Sequence, residues 1–319
     1  MPPAPSALAG WASEAGNGLT TTTGGGTATP QTVTTLAGLQ AAAKGASPAV
    51  IYVKGVLEAG SITIGSNKTI AGLCGAELHG HLDMNGSVNV ILRNLKVVGY
   101  NCTDVSSGKS CQDGADAITV QKGHHLWFDH DDILDGSDGN LDMTHAADFI
   151  TVSWTRFRYS SARADVGSDT GASGHRYSNL IGHSDTNSSE DSGHLRVTFH
   201  HDWWGPYVLE RMPRVRFGQV HLFNNLYDSS GDDYCIGLGV GASIRTEKNA
   251  FLGVKTPLNL TGFSDSASAI ASDGNLYSNT KGDAPKDVSA GSVFQPPYAS
   301  LVTAASQLEA DVKAGAGPK

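Results

Sequence analysis

Short strand-like runs recur along the chain, and each ends with a bulky residue two positions after a polar one. Asp202-Trp203-Trp204, Asn225-Leu226-Tyr227, Asn249-Ala250-Phe251 and Asn275-Leu276-Tyr277 show the unit clearly. The aromatic positions 204, 227, 251 and 277 are separated by 23, 24 and 26 residues. Phe157 lies 47 residues before Trp204, two such steps, and Ile133 lies 24 before Phe157. A fixed period in this range marks a solenoid, whose coils stack and bury one continuous core. The runs are rich in Val, Ile, Thr and aromatics with Gly, Asn, Asp and Ser between them, which favours strands over helical repeats. An all-β solenoid is the expected class. Asn at one coil position would let side-chain amides stack and satisfy turn backbone groups, a structural role.

Open solenoid ends need caps. The segment Thr34 to Gly45 reads as a short amphipathic helix with a threonine N-cap and a glycine stop, placed over the first coil. The tail Ala304 to Val312 reads as a second helix packing back on the coils. Residues 1–29, with Thr20 to Thr23 and Gly24 to Gly26, read as a loosely ordered lead-in, and 30–319 as a single domain.

Composition narrows the class further. Of 319 residues, 39% are hydrophobic and 17% charged, which suits a globular protein with a modest core. The 39 glycines show no Gly-X-Y period, so they serve turns and not collagen. No apolar stretch approaches the length of a membrane span. The N-terminus has neither the basic nor the apolar region of a secretory leader, so no signal peptide is read in this chain. A net charge of −9 gives no support for a nucleic-acid partner. Cys102 and Cys111 bracket a polar loop, which favours a local bridge, whereas Cys74 and Cys235 could pair only if the fold stacks them. No Cys-x-x-Cys spacing supports zinc.

The strongest chemical signal is Glu210-Arg211-Met212-Pro213-Arg214-Val215-Arg216-Phe217-Gly218. Three arginines surround one proline in an acidic chain, and apolar flanks (Trp203, Trp204, Val215, Phe217) argue that the segment is partly buried. Permanently charged planar forks suit carboxylates, so this reads as a wall that grips an anionic ligand. Asp113-Gly114-Ala115-Asp116 and Asp138-Gly139-Asn140-Leu141-Asp142 lie about one coil apart. Stacking would bring their carboxylates together, and a hard divalent cation, calcium above zinc or copper, would relieve their repulsion. Taken singly, each Asp-Gly is only a turn signal.

The arginine run resembles the Arg-x-Pro-x-x-Arg motif of the pectate lyase family. His125-Leu126-Trp127-Phe128-Asp129-His130 resembles that family's Trp-x-Asp-His strand, and Asp138 to Asp142 its paired-acid loop. Phe149 to Trp154, Leu180 to Asp185 and Val220 to Asn225 match three further segments in order, so the likeness runs from about Thr32 to about Val312. It implies a right-handed parallel β-helix with short capping helices. It also implies a secreted, monomeric enzyme that cleaves α-1,4-linked polygalacturonate by β-elimination, giving 4,5-unsaturated products. In that reading Asp116, Asp138 and Asp142 hold Ca2+, and Gly114 stands where a further carboxylate is common, with Asp113 offset by one. Arg211 matches the residue that takes the C5 proton, which requires local cations to favour its neutral form. Arg216 clamps the substrate carboxylate. The family's substrate-binding lysine falls on Tyr177 or its neighbour, and Arg176, the nearest cation, is taken as its substitute. Neither nucleic acid nor membrane is an expected partner. The alternatives are a pectin lyase acting on methyl esters, disfavoured by the retained acids, and a non-catalytic β-helix adhesin or glycan-binding module, disfavoured by the arginine motif.

Other residues carry weaker signals. His130 beside Asp129 reads as an interior hydrogen-bonded group. His200 and His201 are expected on opposite faces of one strand, hence in different environments. Trp127, Trp154, Trp203 and Trp204 read as core or coil-face residues, with one of the last pair able to stack on a sugar.

Overall fold

The computed structural model describes residues 1–99, 116–160, 175–282, 286–298 and 302–319. Cys102, Cys111, Asp113 and Gly114 lie outside the described residues. The chain winds as a parallel β-helix, with strands in an eleven-stranded and a fifteen-stranded sheet. The larger sheet turns a corner at Glu77–Asp83, which pairs with Lys96–Val98 through its first half and Ile118–Gln121 through its second. Each coil therefore contributes to three columns of strands. Among the described residues, pairing between named strands is parallel except where Ser289–Ala290 runs against Ala269–Asp273.

The repeat seen in the sequence is the register of one column. Val97, Ile133, Phe157, Trp204, Tyr227, Phe251 and Tyr277 pair in succession. Their inward rings stack coil on coil: Trp204 on Tyr227 at 4.7 Å, Tyr227 on Phe251 at 4.5 Å and Phe251 on Tyr277 at 5.2 Å between centroids. Stacked aromatic pairs add about 0.5–1.5 kcal/mol each beyond their burial. Two residues earlier runs a polar ladder. The backbone N–H of Thr155 donates to Asp202, that of Asp202 to Asn225, that of Asn225 to Asn249 and that of Asn249 to Asn275, at 2.7–2.9 Å. Each coil thus satisfies a turn amide of the coil before it, which a buried bend requires.

The helix Leu36–Ala43 covers the first coils with Leu39 and Ala43 buried, and the Thr35 hydroxyl accepts from the Gly38 N–H at 3.2 Å. The terminal helix forms later than the sequence suggests, over Leu308–Gly315, because Ala305–Gln307 is a 3-10 turn. Its Leu308 and Val312 bury against Leu226 and Ala250. Residues 1–29 depart from the loose lead-in expected of them. Trp11 is buried, and the Trp11 and Ala12 N–H groups donate to the Thr198 and Thr151 hydroxyls at 3.0 Å each. Outward threonines on successive strands supply acceptors that composition does not reveal.

Four side-chain expectations also change. His200 and His201 do not diverge: the strand ends at His200, His201 turns left-handed (φ 58°), and their Nδ1 atoms come within 3.1 Å. Cys74 is exposed and Cys235 buried, and both are free thiols, so they do not pair. Trp204 is fully buried, while Trp203 has Arg156 and Lys313 over its ring and packs against the terminal helix. Neither tryptophan is free to stack on a sugar. His130 is partly exposed and not interior, with its Nδ1 3.0 Å from an oxygen of buried Asp129.

Candidate active site

Four consecutive coils build the site on one strand column. Asp116 precedes the strand Ile118–Gln121, and Asp142 sits in the next strand, Leu141–Thr144, opposite Thr119. Asp138 lies in the turn between them. The third coil brings His175, Arg176 and Tyr177 ahead of the strand Leu180–Ile181. The fourth brings Arg211, Arg214 and Arg216 around the strand Arg214–Val215, whose residues pair with Leu180 and Ile181. Stacking therefore gathers residues up to a hundred positions apart.

Asp116 and Asp142 approach each other over Gly139, and Asp138 stands near enough for its charge to act on both. A Cβ placed on Gly139 would lie 2.9 Å from Oδ1 of both Asp116 and Asp142. Asp116 Oδ2 is held by the Thr119 hydroxyl at 2.7 Å, yet its buried Oδ1 has no hydrogen-bond partner. Asp142 Oδ1 accepts from the Leu180 N–H at 2.8 Å. Burial, reinforced by the neighbouring Asp138 charge, pushes the Asp116 carboxyl up to about 6. Burial, and then the adjacent Asp116, raises Asp142 well above the usual carboxylate range. Asp138 goes the other way, because His175 Nε2 binds its Oδ1 at 2.8 Å and favours the ionised form. Two buried carboxyls whose pKa values are raised by burial and mutual repulsion, one with an unpartnered oxygen, are a donor set that a hard divalent cation would relieve. The residues present fit calcium.

The cationic side is built as carefully. Arg211 is half-buried at φ 60°, and its guanidinium carbon lies 4.3 Å above the Tyr177 ring. Its positive charge favours ionisation of Asp116, Asp138 and Asp142 alike. Arg211 Nε is buried without a hydrogen bond. The Arg211 carbonyl accepts from the Asn179 N–H at 2.7 Å, which fixes the backbone at this turn. Arg216, nearly buried, donates through Nε to Asp185 and through Nη1 to the Gly182 carbonyl at 2.7 Å. Arg214 lies over Phe263 at 3.8 Å; burial, then the neighbouring Arg216, lowers its pKa.

Sequence reasoning named six of these residues, Asp116, Asp138, Asp142, Arg176, Arg211 and Arg216, and missed the ones that orient them. His175 and Tyr177 pack ring on ring at 4.1 Å, one reaching Asp138 and the other Arg211. Arg176 lies between them, half-buried. The signal for Tyr177 was present as the residue standing where a lysine was expected. Nothing local marks His175, Asp185 or Gly139, whose roles depend on which coil stacks on which.

Comparison with known proteins identifies the family. A family model described as pectate lyase matches residues 2–317. Pectate lyase B of Colletotrichum gloeosporioides is 34% identical over 287 residues, covering 87% of this chain and 77% of that protein. A probable pectate lyase B of Aspergillus flavus is 35% identical over 240 residues; the match covers 72% of this chain but only 64% of the relative's length. Among solved structures, a Bacillus subtilis pectate lyase variant superposes with a TM-score of 0.75 at 22% identity, covering 98% of this chain and 97% of that one. The major allergen from cedar pollen also reaches 0.75, at 24% identity over 98% and 93%. At these identities the structural likeness speaks for the fold, while the family model and the sequence relatives place the chain: it belongs to the pectate lyase family.

Proposed function

We propose that this protein is a calcium-dependent pectate lyase that cleaves polygalacturonate by β-elimination. The observation that carries the reading is the approach of the buried Asp116 and Asp142 over Gly139, with the charges of Asp138 and Arg211 close enough to act on both. The relatives named as pectate lyases support the same substrate class. Calcium, when bound, would supply Lewis acidity toward a uronate carboxylate and so acidify the adjacent C5–H.

The chain's own residues do the rest. Asp116, Asp138 and Asp142 form the anionic cradle, and His175 holds Asp138 ionised and in place. Arg211 takes the C5 proton. The C5–H electron pair becomes the C4–C5 double bond, the bond from C4 to the glycosidic oxygen breaks, and that oxygen is protonated from solvent. Tyr177 supports the Arg211 guanidinium from below, limiting its rotation. Arg216, braced by Asp185 and the Gly182 carbonyl, grips a substrate carboxylate and stabilises charge developing beside it. Arg176 is the second substrate-binding candidate. A polyanion meets an acidic protein productively because the charge at the site, three arginines and a cation, opposes the overall sign. The same reading places the protein outside the cell as a monomer, where its substrate is found.

Arg211→Lys tests the assignment. A lysine keeps the cation but not the planar base, so kcat should fall about 100-fold or more, as general-base removals do, while substrate binding changes far less. A variant that binds poorly yet turns over normally at saturation would move the role to Arg216.

A further inference from the structure

At the opposite end of the same strands lies a second cluster, with donor chemistry unlike that of the carboxylate cradle. Met143 pairs with Ile181, so the two residues that follow at equal distance, His145 and His183, occupy adjacent coils. Their rings stack at 3.9 Å between centroids, 18° from parallel. Glu190 reaches back from the short helix Ser188–Asp191, and its Oε2 lies 2.9 Å from His145 Nδ1. One ligand atom from each of His145, His183 and Glu190 lies within 4.8 Å of the others. All three side chains are about one-third exposed, so an ion has a path in.

The surroundings hold this arrangement in place. Asp191, fully buried, accepts from the Ala146 N–H at 2.8 Å and from Asn187 Nδ2 at 3.2 Å. It thereby docks the Glu190 helix onto the turn that carries His145. Its Oδ2 also stands 4.0 Å from His183 Nδ1. Asn187 Nδ2 donates to Glu190 Oε2 at 2.7 Å, fixing the carboxylate. Outer partners that orient imidazole and carboxylate ligands are what tuned metal sites have.

We propose that His145, His183 and Glu190 form a second metal site, selective for an imidazole-seeking divalent transition metal such as Zn(II). Two histidines and one carboxylate match the ligand set of three-ligand zinc centres, with a position left for water. Calcium and magnesium prefer all-oxygen sites, so the two centres on this strand column select different ions. Ligand atoms about 3.3 Å apart would suit zinc at its usual bond lengths, a contraction that rotation of exposed rings supplies. The bound ion would staple the segment 182–191 to the preceding coil. That segment presents the Gly182 carbonyl and Asp185 to Arg216, so the site braces the arginine from behind. The proposal stands on these residues and does not depend on the polysaccharide reading.

Co(II) is the probe, titrated into the calcium-loaded full-length protein and followed by its d–d absorption. The wild type should develop the intense spectrum of a low-coordinate, nitrogen-ligated ion at one equivalent, and Zn(II) should displace it. His145→Gln and His183→Gln keep size and polarity, and each should weaken Co(II) binding at least ten-fold. Asp142→Asn should leave that spectrum intact, which separates this site from the carboxylate cradle. Melting temperature should rise with Zn(II) in the wild type and not in His183→Gln. Absence of a nitrogen-ligated Co(II) spectrum in the wild type would overturn the proposal, as would unchanged affinity in both glutamine variants.

Discussion

Replacing Gly139 by alanine is the smallest change that addresses the cation cradle. Gly139 is not among the residues with positive φ, so alanine suits the backbone. The new methyl would sit 2.9 Å from Oδ1 of Asp116 and of Asp142, where ordinary contact begins near 3.4 Å. Each carboxylate must retreat by about half an ångström, or the methyl occupies the space itself. Calcium takes its oxygens at about 2.3–2.6 Å, so displacing two of them by about half an ångström, or filling the space between them, weakens or breaks those bonds. Losing one good carboxylate contact corresponds to a ten-fold or larger rise in Kd, about 1.4 kcal/mol or more. The metal-free protein should lose little, since Gly→Ala at a permitted φ restricts the unfolded chain and offsets part of the strain. Calcium titration by calorimetry measures the first quantity, and thermal melting in chelator the second. Wild-type calcium affinity in Gly139→Ala would refute the claim that these two oxygens face the ion.

Further outcomes follow from the coils around the site. Asn249→Leu removes the acceptor for the Asn225 N–H and the donor to the Leu222 carbonyl, both inside the wall. Two buried groups left unpaired at about 1–3 kcal/mol each predict a loss of roughly 2–5 kcal/mol in chemical denaturation, with cleavage in the cold unchanged; a loss below about 1 kcal/mol would show that the ladder is not structural. His200, buried against Phe223, has its pKa lowered to about 3 by burial and then by the neighbouring His201. The unfolded imidazole takes up its proton near 6.5, so this group's contribution is complete above 6.5 and is lost as pH falls toward 3. His200→Phe should therefore flatten the fall in melting temperature between pH 6 and 4, measured in chelator; an unchanged slope would contradict the neutral buried ring.

The sequence made the column of residues 133, 157, 204, 227, 251 and 277 legible because its period is a property of spacing alone. The same spacing located the two acidic segments as neighbours across coils, while the arginines were joined to them only through the family resemblance. The spacing did not reveal that the Asp138 carboxyl is shifted down while those of Asp116 and Asp142 are shifted up, because that split comes from His175 on a third coil and from burial. His200 and His201 misled for a local reason: alternation holds only until the strand ends, and one left-handed residue reverses it. The lead-in misled because polar, glycine-rich segments look mobile until the threonines that anchor them, here Thr151 and Thr198, are placed beside them.

The most direct test of the account is the ultraviolet absorbance of unsaturated ends released from polygalacturonate, recorded with calcium, with excess chelator and after calcium is restored. Methyl-esterified pectin and reducing-end release are followed in parallel. A lyase of the proposed kind produces absorbing ends from polygalacturonate, loses that activity in chelator, recovers it with calcium, and acts poorly on the methyl ester. Reducing ends without absorbance would mean hydrolysis by a protonated and an ionised carboxyl, and full activity in chelator would remove the cation from the mechanism; either result would contradict the account.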